Sequence, residues 1–247
     1  MNYWRLIGIG LVAYVLGLIA SAPASLIDSR LERATGGRLR LAEARGTLWS
    51  GAGLLDIRDA NGRSGVSKSI AWHVQPAYLL LRQLRCEVAL DQAAKRFPVT
   101  ISTERIELAD ANINLPAAAL GLGVPKLAPL GLTGELQLHI ARFSIGRGAI
   151  NGNATLQWSA AGSAYSPVSP LGDYELRFDG DGTAVRASLR TLQGPVQLDG
   201  QGSWISGASP TFLGNARVPP QHLQQLAPLL RMISIDRGDG SFQLQLK

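Results

Sequence analysis

Cysteine is almost absent: Cys86 stands alone among 247 residues, which excludes an intramolecular disulfide and a thiolate metal cage. Histidine is nearly as scarce. His73, His139 and His222 are too far apart for the i, i+4 pairing of a helical metal site. Charged residues make up only 17% of the chain, and its formal net charge of +6 is dispersed without a dense basic run, so no nucleic-acid partner is expected. Also missing are a G-x-S-x-G elbow, a P-loop and a catalytic carboxylate pair in a recognisable local setting. The reading is therefore a protein without catalytic centre, cofactor or metal. Cys86, between Arg85 and Glu87 with Leu84 and Val88 beyond, reads as a structural thiol.

One long apolar run is present. Between Leu6 and Ile27 the only ionisable side chain is Tyr14, and a helix apolar on every face belongs in lipid or a deep core. Its 22 residues would rise about 33 Å against a hydrocarbon layer of roughly 30 Å. A cleaved signal peptide is the rival reading, with Arg5 as its basic flank and Ala20-Ser21-Ala22 as its small-residue site. The awkward Pro23 directly after that site favours a retained anchor. Charge counting does not settle orientation, because Arg30, Arg33, Arg38, Arg40 and Arg45 follow the run while Arg5 precedes it.

Past residue 30 the apolar period is two. Leu136, Leu138 and Ile140 alternate with Glu135, Gln137 and His139; Tyr174, Leu176 and Phe178 alternate with Glu175 and Arg177; Phe242, Leu244 and Leu246 flank Gln243 and Gln245. Such runs predict half-buried antiparallel strands, with His139 on the solvent side. Turns are expected at Asn61-Gly62, Asn151-Gly152 and Asp179-Gly180-Asp181-Gly182, the last as a tight turn and not a calcium loop. Short helices are expected at 76–84, 115–120 and 219–233, the third with Leu223, Leu226, Leu229 and Leu230 facing the core. The fold expected is mainly β: a transmembrane helix within residues 1–29, then an antiparallel β-sheet domain over residues 30–247 with a few short helices. Three related Trp-containing words, around Trp49, Trp158 and Trp204, hint at two β halves meeting near residues 142–152.

The string Gly46-Thr47-Leu48-Trp49-Ser50-Gly51 shortly after the apolar run resembles the type II secretion system protein N family. Similarity continues through Trp158, the stretch containing Gly172 and Tyr174, and Gly194, Gly200 and Gly202. The motif residues Gly46, Thr47, Leu48, Trp49 and Gly51 read as structural: a large aromatic with one donor, between glycines that permit close approach.

What the resemblance implies is a single-pass inner-membrane protein with a short cytoplasmic amino terminus and a periplasmic C-terminal β domain. Its role would be accessory to the export of folded proteins across the outer membrane. Implied partners are the inner-membrane platform proteins C, L and M, with the outer-membrane secretin as a further candidate. Membrane contact would run through Leu6 to Ile27. Two competitors remain: a membrane-tethered periplasmic lipid-binding or lipid-transfer β protein, whose leucines would line an apolar groove, and an envelope enzyme assembled from distant side chains.

Overall fold

A computed structural model describes residues 3–58, 65–91, 95–205, 208, 211–231, 234–237 and 241–246. The chain opens with α1 (Tyr3–Ala20) and α2 (Ser25–Thr35). Strands β1 (Leu39–Gly46), β2 (Ser50–Arg58), β3 (Gly65–Gln75), β4 (Gln83–Leu90), β5 (Phe97–Ser102) and β6 (Ile106–Pro116) follow. Then come α3 (Leu120–Gly123) and strands β7 (Leu132–Gly146), β8 (Ala149–Ser163), β9 (Gly172–Asp181), β10 (Ala184–Gln193), β11 (Gln197–Ile205) and β12 (Thr211–Arg217). The last elements are α4 (Pro220–Arg231), β13 (Ser234–Asp236) and β14 (Ser241–Leu246).

Among the described residues all fourteen strands belong to one sheet, in chain order except that β14 lies between β12 and β13. Every pairing is antiparallel. The protein is thus mainly β, as the period-two pattern requires. Register turns that pattern into two faces. Across β7–β8–β9, Leu136, Trp158 and Tyr174 lie side by side, and Leu138, Leu156 and Leu176 form the next row. Gln137, Gln157 and Glu175 occupy the opposite face.

Three apolar clusters sit along the sheet. At the first edge Ala24, Leu41, Trp72 and Val74 pack with Ile27 and Leu31. Phe97, Ala111, Ile140 and Ala154 form the central cluster. Near the other edge Val196, Ala216, Val218 and Phe242 pack with Leu223 and Leu226 of α4. A flat sheet this wide would leave the central residues in water, so their burial requires it to coil over its apolar side. Bulges assist: register shifts at Ala42/Arg45 and Trp158/Ala161 coincide with the left-handed residues Glu43 and Ala160.

Several expectations are revised. The apolar run does not continue as one helix to Ile27. Helix α1 has 18 residues, about 27 Å of rise, and the chain turns at Pro23 before α2. Ala24 is buried at 1% exposure and Ile27 packs against the sheet, so this end of the run belongs to the folded domain. Among the described residues no helix is long and apolar enough to cross a membrane.

The expected helix at 76–84 is a 3-10 segment, Pro76–Leu81, because β4 begins at Gln83. At 115–120 strand β6 persists to Pro116, followed by a 3-10 turn at Ala117–Ala119 and then α3. Helix α4 occupies most of 219–233; the side chains of Leu229 and Leu230 lie outside the described residues. So does the Asn61-Gly62 turn.

Asn151-Gly152 is no turn but part of β8, where Gly152, at φ 117°, pairs with Phe143 just beyond the register shift between Ile140 and Arg142. A Cβ there would meet the Arg142 carbonyl oxygen at 2.1 Å. The reversal falls instead at Arg147 and Gly148, with φ of 42° and 81°, the paired positive φ that a two-residue hairpin turn needs. Residues 142–152 therefore form the β7–β8 hairpin in the middle of an uninterrupted sheet.

Candidate functional site

The residues singled out by sequence fall mainly into two groups at opposite ends of the strands, with Gly200 and Gly202 in the middle of β11. Gly46, Thr47, Leu48, Trp49 and Gly51 form the β1–β2 turn, which is the joint between α1 and the sheet. Trp49 Nε1 donates to the Ile19 carbonyl at 2.9 Å, Leu48 N to Ala22 O at 2.9 Å and Ala24 N to Gly46 O at 3.1 Å. Thr47 Oγ1 accepts the backbone N–H groups of Trp49 and Ser50 at 3.3 and 3.2 Å, tightening the turn. Gly46 is at φ 94°, and a Cβ there would stand 2.4 Å from the Ser50 carbonyl oxygen.

Trp72, which the sequence reading did not pick out, completes the joint. Its Nε1 lies 3.3 and 3.2 Å from the carbonyl oxygens of Thr47 and Leu48. A Cβ on Gly51 would approach its ring to 2.5 Å. One tryptophan thus reads the turn from the sheet side and Trp49 from the helix side. Trp72 caps carbonyls of the turn, and Trp49 adds a second donor to the Ile19 carbonyl, which also accepts from Ala22 N at 3.3 Å.

The second group surrounds Tyr174. Its ring lies 5.8 Å from that of Trp158 at 56°, a tilted cross-strand pair. The polar tips point away from each other: Trp158 Nε1 donates to Thr133 O at 3.0 Å and Tyr174 Oη to Val196 O at 3.1 Å. Burial, and secondarily the Asp173 charge, push the Tyr174 phenol far above its ordinary value, so it stays a donor. Gly172 and Gly194 let the β10–β11 connection close over this pair; a Cβ on Gly194 would stand 2.2 Å from Gly172 Cα. Gly200 and Gly202 make room for the ring of Phe212, which would lie 2.7 and 2.8 Å from added Cβ atoms.

The polar face carries the remaining chemistry. Glu175 accepts from Arg177 Nε at 2.7 Å and Arg190 Nε at 2.8 Å, with the Gln157 amide at 3.5 Å. Burial alone would raise its carboxyl. Hydrogen bonding and charge from Arg177, the charge of Arg190 and the Gln157 amide outweigh that and hold it below its ordinary value. Asp181 caps the β9–β10 turn, accepting from Ala184 N, Thr183 Oγ1 and Thr183 N at 2.9, 2.8 and 3.0 Å. Those bonds, with Arg186 beside it, hold its carboxyl at about 2. The turn expected at residues 179–182 is displaced: Asp179, Gly180 and Asp181 are paired within β9, and the chain reverses at Gly182 and Thr183.

His139 Nδ1 lies 2.6 Å from Asn112 Oδ1 on the exposed face, and burial raises the Cys86 thiol above its ordinary value. Among the described residues no group of three His, Cys, Asp or Glu could hold a metal ion. A cleft of about 690 Å³ lies over β9–β12 between Asp179, Arg186, Ser188, Gln201, Ser203 and Thr211. Its walls carry the charges of Asp179 and Arg186 and the hydroxyls of Ser188, Ser203 and Thr211.

These features define a one-sheet β protein whose marked residues hold a helix to a sheet and close one end of it. The sequence model of the family described as "Type II secretion system (T2SS), protein N" matches residues 37–245. The chain therefore belongs to the type II secretion system protein N family and is a component of that secretion machinery. No curated protein and no solved structure matches it.

Proposed function

We propose that this chain is a non-enzymatic accessory component of type II secretion, anchored in the inner membrane through α1, with the sheet in the periplasm. The observation that carries the reading is the division of the molecule. The family match begins at residue 37 and runs through the sheet to residue 245. Helix α1 lies outside the match, and Ile7, Leu11, Tyr14, Leu18 and Ile19 are exposed along it. A bare apolar helix of this kind is stable in lipid, and a shortfall of about 3 Å against the hydrocarbon layer is taken up by local bilayer thinning.

Partner contact runs through the polar face in preference to strand addition. The β1 edge is guarded: α2 lies along it, Asp28 Oδ1 takes the Leu41 N–H at 2.8 Å, and Glu43 bulges the strand. At the other edge β13 has only three residues. The polar face, which carries the Arg186 cleft over β9–β12, is left as the surface for platform proteins C, L and M or the outer-membrane secretin.

A reporter fused after Lys247 is expected to be active only in the periplasm; cytoplasmic activity overturns the topology. Deletion of the chain is expected to trap folded exoproteins in the periplasm without leakage of periplasmic contents. Normal export would overturn the secretion role.

A membrane-tethered lipid carrier is the second reading. The observation favouring it is a small apolar cleft of about 170 Å³ between Ile145, Ile150, Val185 and Trp204, where the inner face opens at the α1 end. Acyl lipid in stoichiometric amount with the purified protein supports it, and its absence removes it.

A further inference from the structure

The exposed apolar side chains outside α1 are unevenly distributed. Antiparallel register places the β1–β2 turn, the Pro76–Leu81 segment and the β5–β6, β7–β8, β9–β10 and β11–β12 connections at one end of the strands. Along that end Leu80 is 89% exposed, Ile106 45%, Ile145 48%, Trp204 47% and Ile205 56%. Far apart in sequence, these residues share one end of the sheet as a rim of exposed apolar side chains.

The rim is held, not loose. Arg85 Nη1 donates to Tyr78 Oη at 3.0 Å and its guanidinium lies 5.1 Å from the Tyr78 ring centroid. The 3-10 segment is thereby fixed with Leu80 turned outward. Arg147 pairs with Glu104 at 2.9 Å, tying the β5–β6 and β7–β8 turns together. Arg82 and Arg105 sit on the same end, Arg105 paired with Glu107 at 2.7 Å.

Helix α1 leaves from this end, and its connection has no slack. Residues 21–24 are pinned to the β1–β2 turn by the Ala24–Gly46 and Leu48–Ala22 bonds, and Trp49 grips the last turn of α1. Wherever α1 enters lipid, the rim is brought to the surface of the same bilayer. Apolar side chains with a tryptophan and arginines among them are the composition that settles at the boundary of acyl chains and anionic headgroups.

We propose that this rim rests in the interfacial layer of the membrane. Leu80, Ile106, Ile145, Trp204 and Ile205 enter the headgroup–acyl boundary, and Arg82, Arg105 and Arg147 meet anionic headgroups. The sheet then stands upright on the bilayer as a second, lateral contact beyond the anchor. The proposal rests on the anchoring reading of α1, and its test separates the two.

The full chain, with Cys86→Ala as background, is reconstituted into vesicles of roughly three parts phosphatidylethanolamine to one part phosphatidylglycerol. Nitroxide labels are placed singly through Leu80→Cys, Ile106→Cys and Ile205→Cys on the rim, Tyr165→Cys at the far end and Leu11→Cys in α1. Relative accessibility to oxygen and to a water-soluble nickel chelate reports depth. The expected result is a several-fold higher oxygen-to-nickel ratio at 80, 106 and 205 than at 165. Aqueous ratios on the rim with a hydrocarbon ratio at 11 overturn the rim and leave the anchor standing. Rim labels shielded from both reagents also overturn it, in favour of a protein covering that end. An aqueous ratio at 11 removes the anchor alone, and the rim is then judged by its own three positions.

Discussion

Trp49 Nε1 donates to the carbonyl oxygen of Ile19 at 2.9 Å, across thirty positions of sequence. This bond fastens the end of an apolar helix to the first turn of the sheet. Trp49→Phe keeps most of the ring and removes the donor, so it is expected to cost about 0.5–1 kcal/mol. Amide exchange at Leu48 and Ala24, whose N–H groups bond within the same joint, should quicken while the central strands keep their protection. Unchanged exchange at both amides would remove Trp49 from the joint.

Gly194→Ala tests the closure over Tyr174. The position has φ 125°, and the new Cβ would meet Gly172 Cα at 2.2 Å. Backbone against backbone cannot be relieved by a rotamer change. A loss of about 2–4 kcal/mol is expected, or a fall of roughly 4–12 °C in the thermal midpoint. Calorimetry of the purified variant measures it, and a shift of under about 1 °C would contradict the packing described.

Tyr174→Phe leaves the ring pair intact and strips the Val196 carbonyl of its donor. The expected loss is about 1–2 kcal/mol near neutral pH. The wild-type phenol is neutral when folded because burial, then Asp173, raises its value above the ordinary 10.0. Its contribution is therefore present below 10 and lost as pH rises beyond it. Denaturant titrations should show a steeper alkaline decline for the wild type than for the variant.

Glu175→Gln should act at the other end of the pH scale. In the folded protein the carboxyl lies below its ordinary 4.5. Stability from its pairs with Arg177 and Arg190 is therefore present above 4.5 and lost as pH falls through the lowered value. The variant is expected to be about 1–2 kcal/mol less stable at neutral pH, since it leaves two half-exposed arginines without their anion. Its acid limb should be flatter than that of the wild type, and parallel acid limbs would show that the triad contributes nothing.

Much of the fold was legible in the residues themselves. Alternation such as Leu136-Gln137-Leu138-His139-Ile140 needs no tertiary information, because a strand points successive side chains to opposite faces and only one arrangement buries the leucines. The same holds for the helical spacing of Leu223 and Leu226 and for the scarcity of cysteine and histidine. Hairpin positions were less legible: Asn151-Gly152 carries the composition of a turn, yet the chain reverses at Arg147-Gly148. Gly152 is needed where the bulged partner strand approaches closely, and composition does not distinguish that need from a turn.

The sequence by itself determined a sheet with one apolar and one polar face, preceded by an apolar helix, because periodicity and side-chain chemistry are local. Tertiary structure alone decided that Ala24 and Ile27 leave the apolar run to join the core, that Trp72 and Trp49 grip one turn from two sides, and that Arg190 shares Glu175 with Arg177. It also gathered Leu80, Ile106 and Ile205 onto one rim. Those relationships depend on register and on the coiling of fourteen strands, which arise from hydrogen bonds and packing between residues distant in the chain.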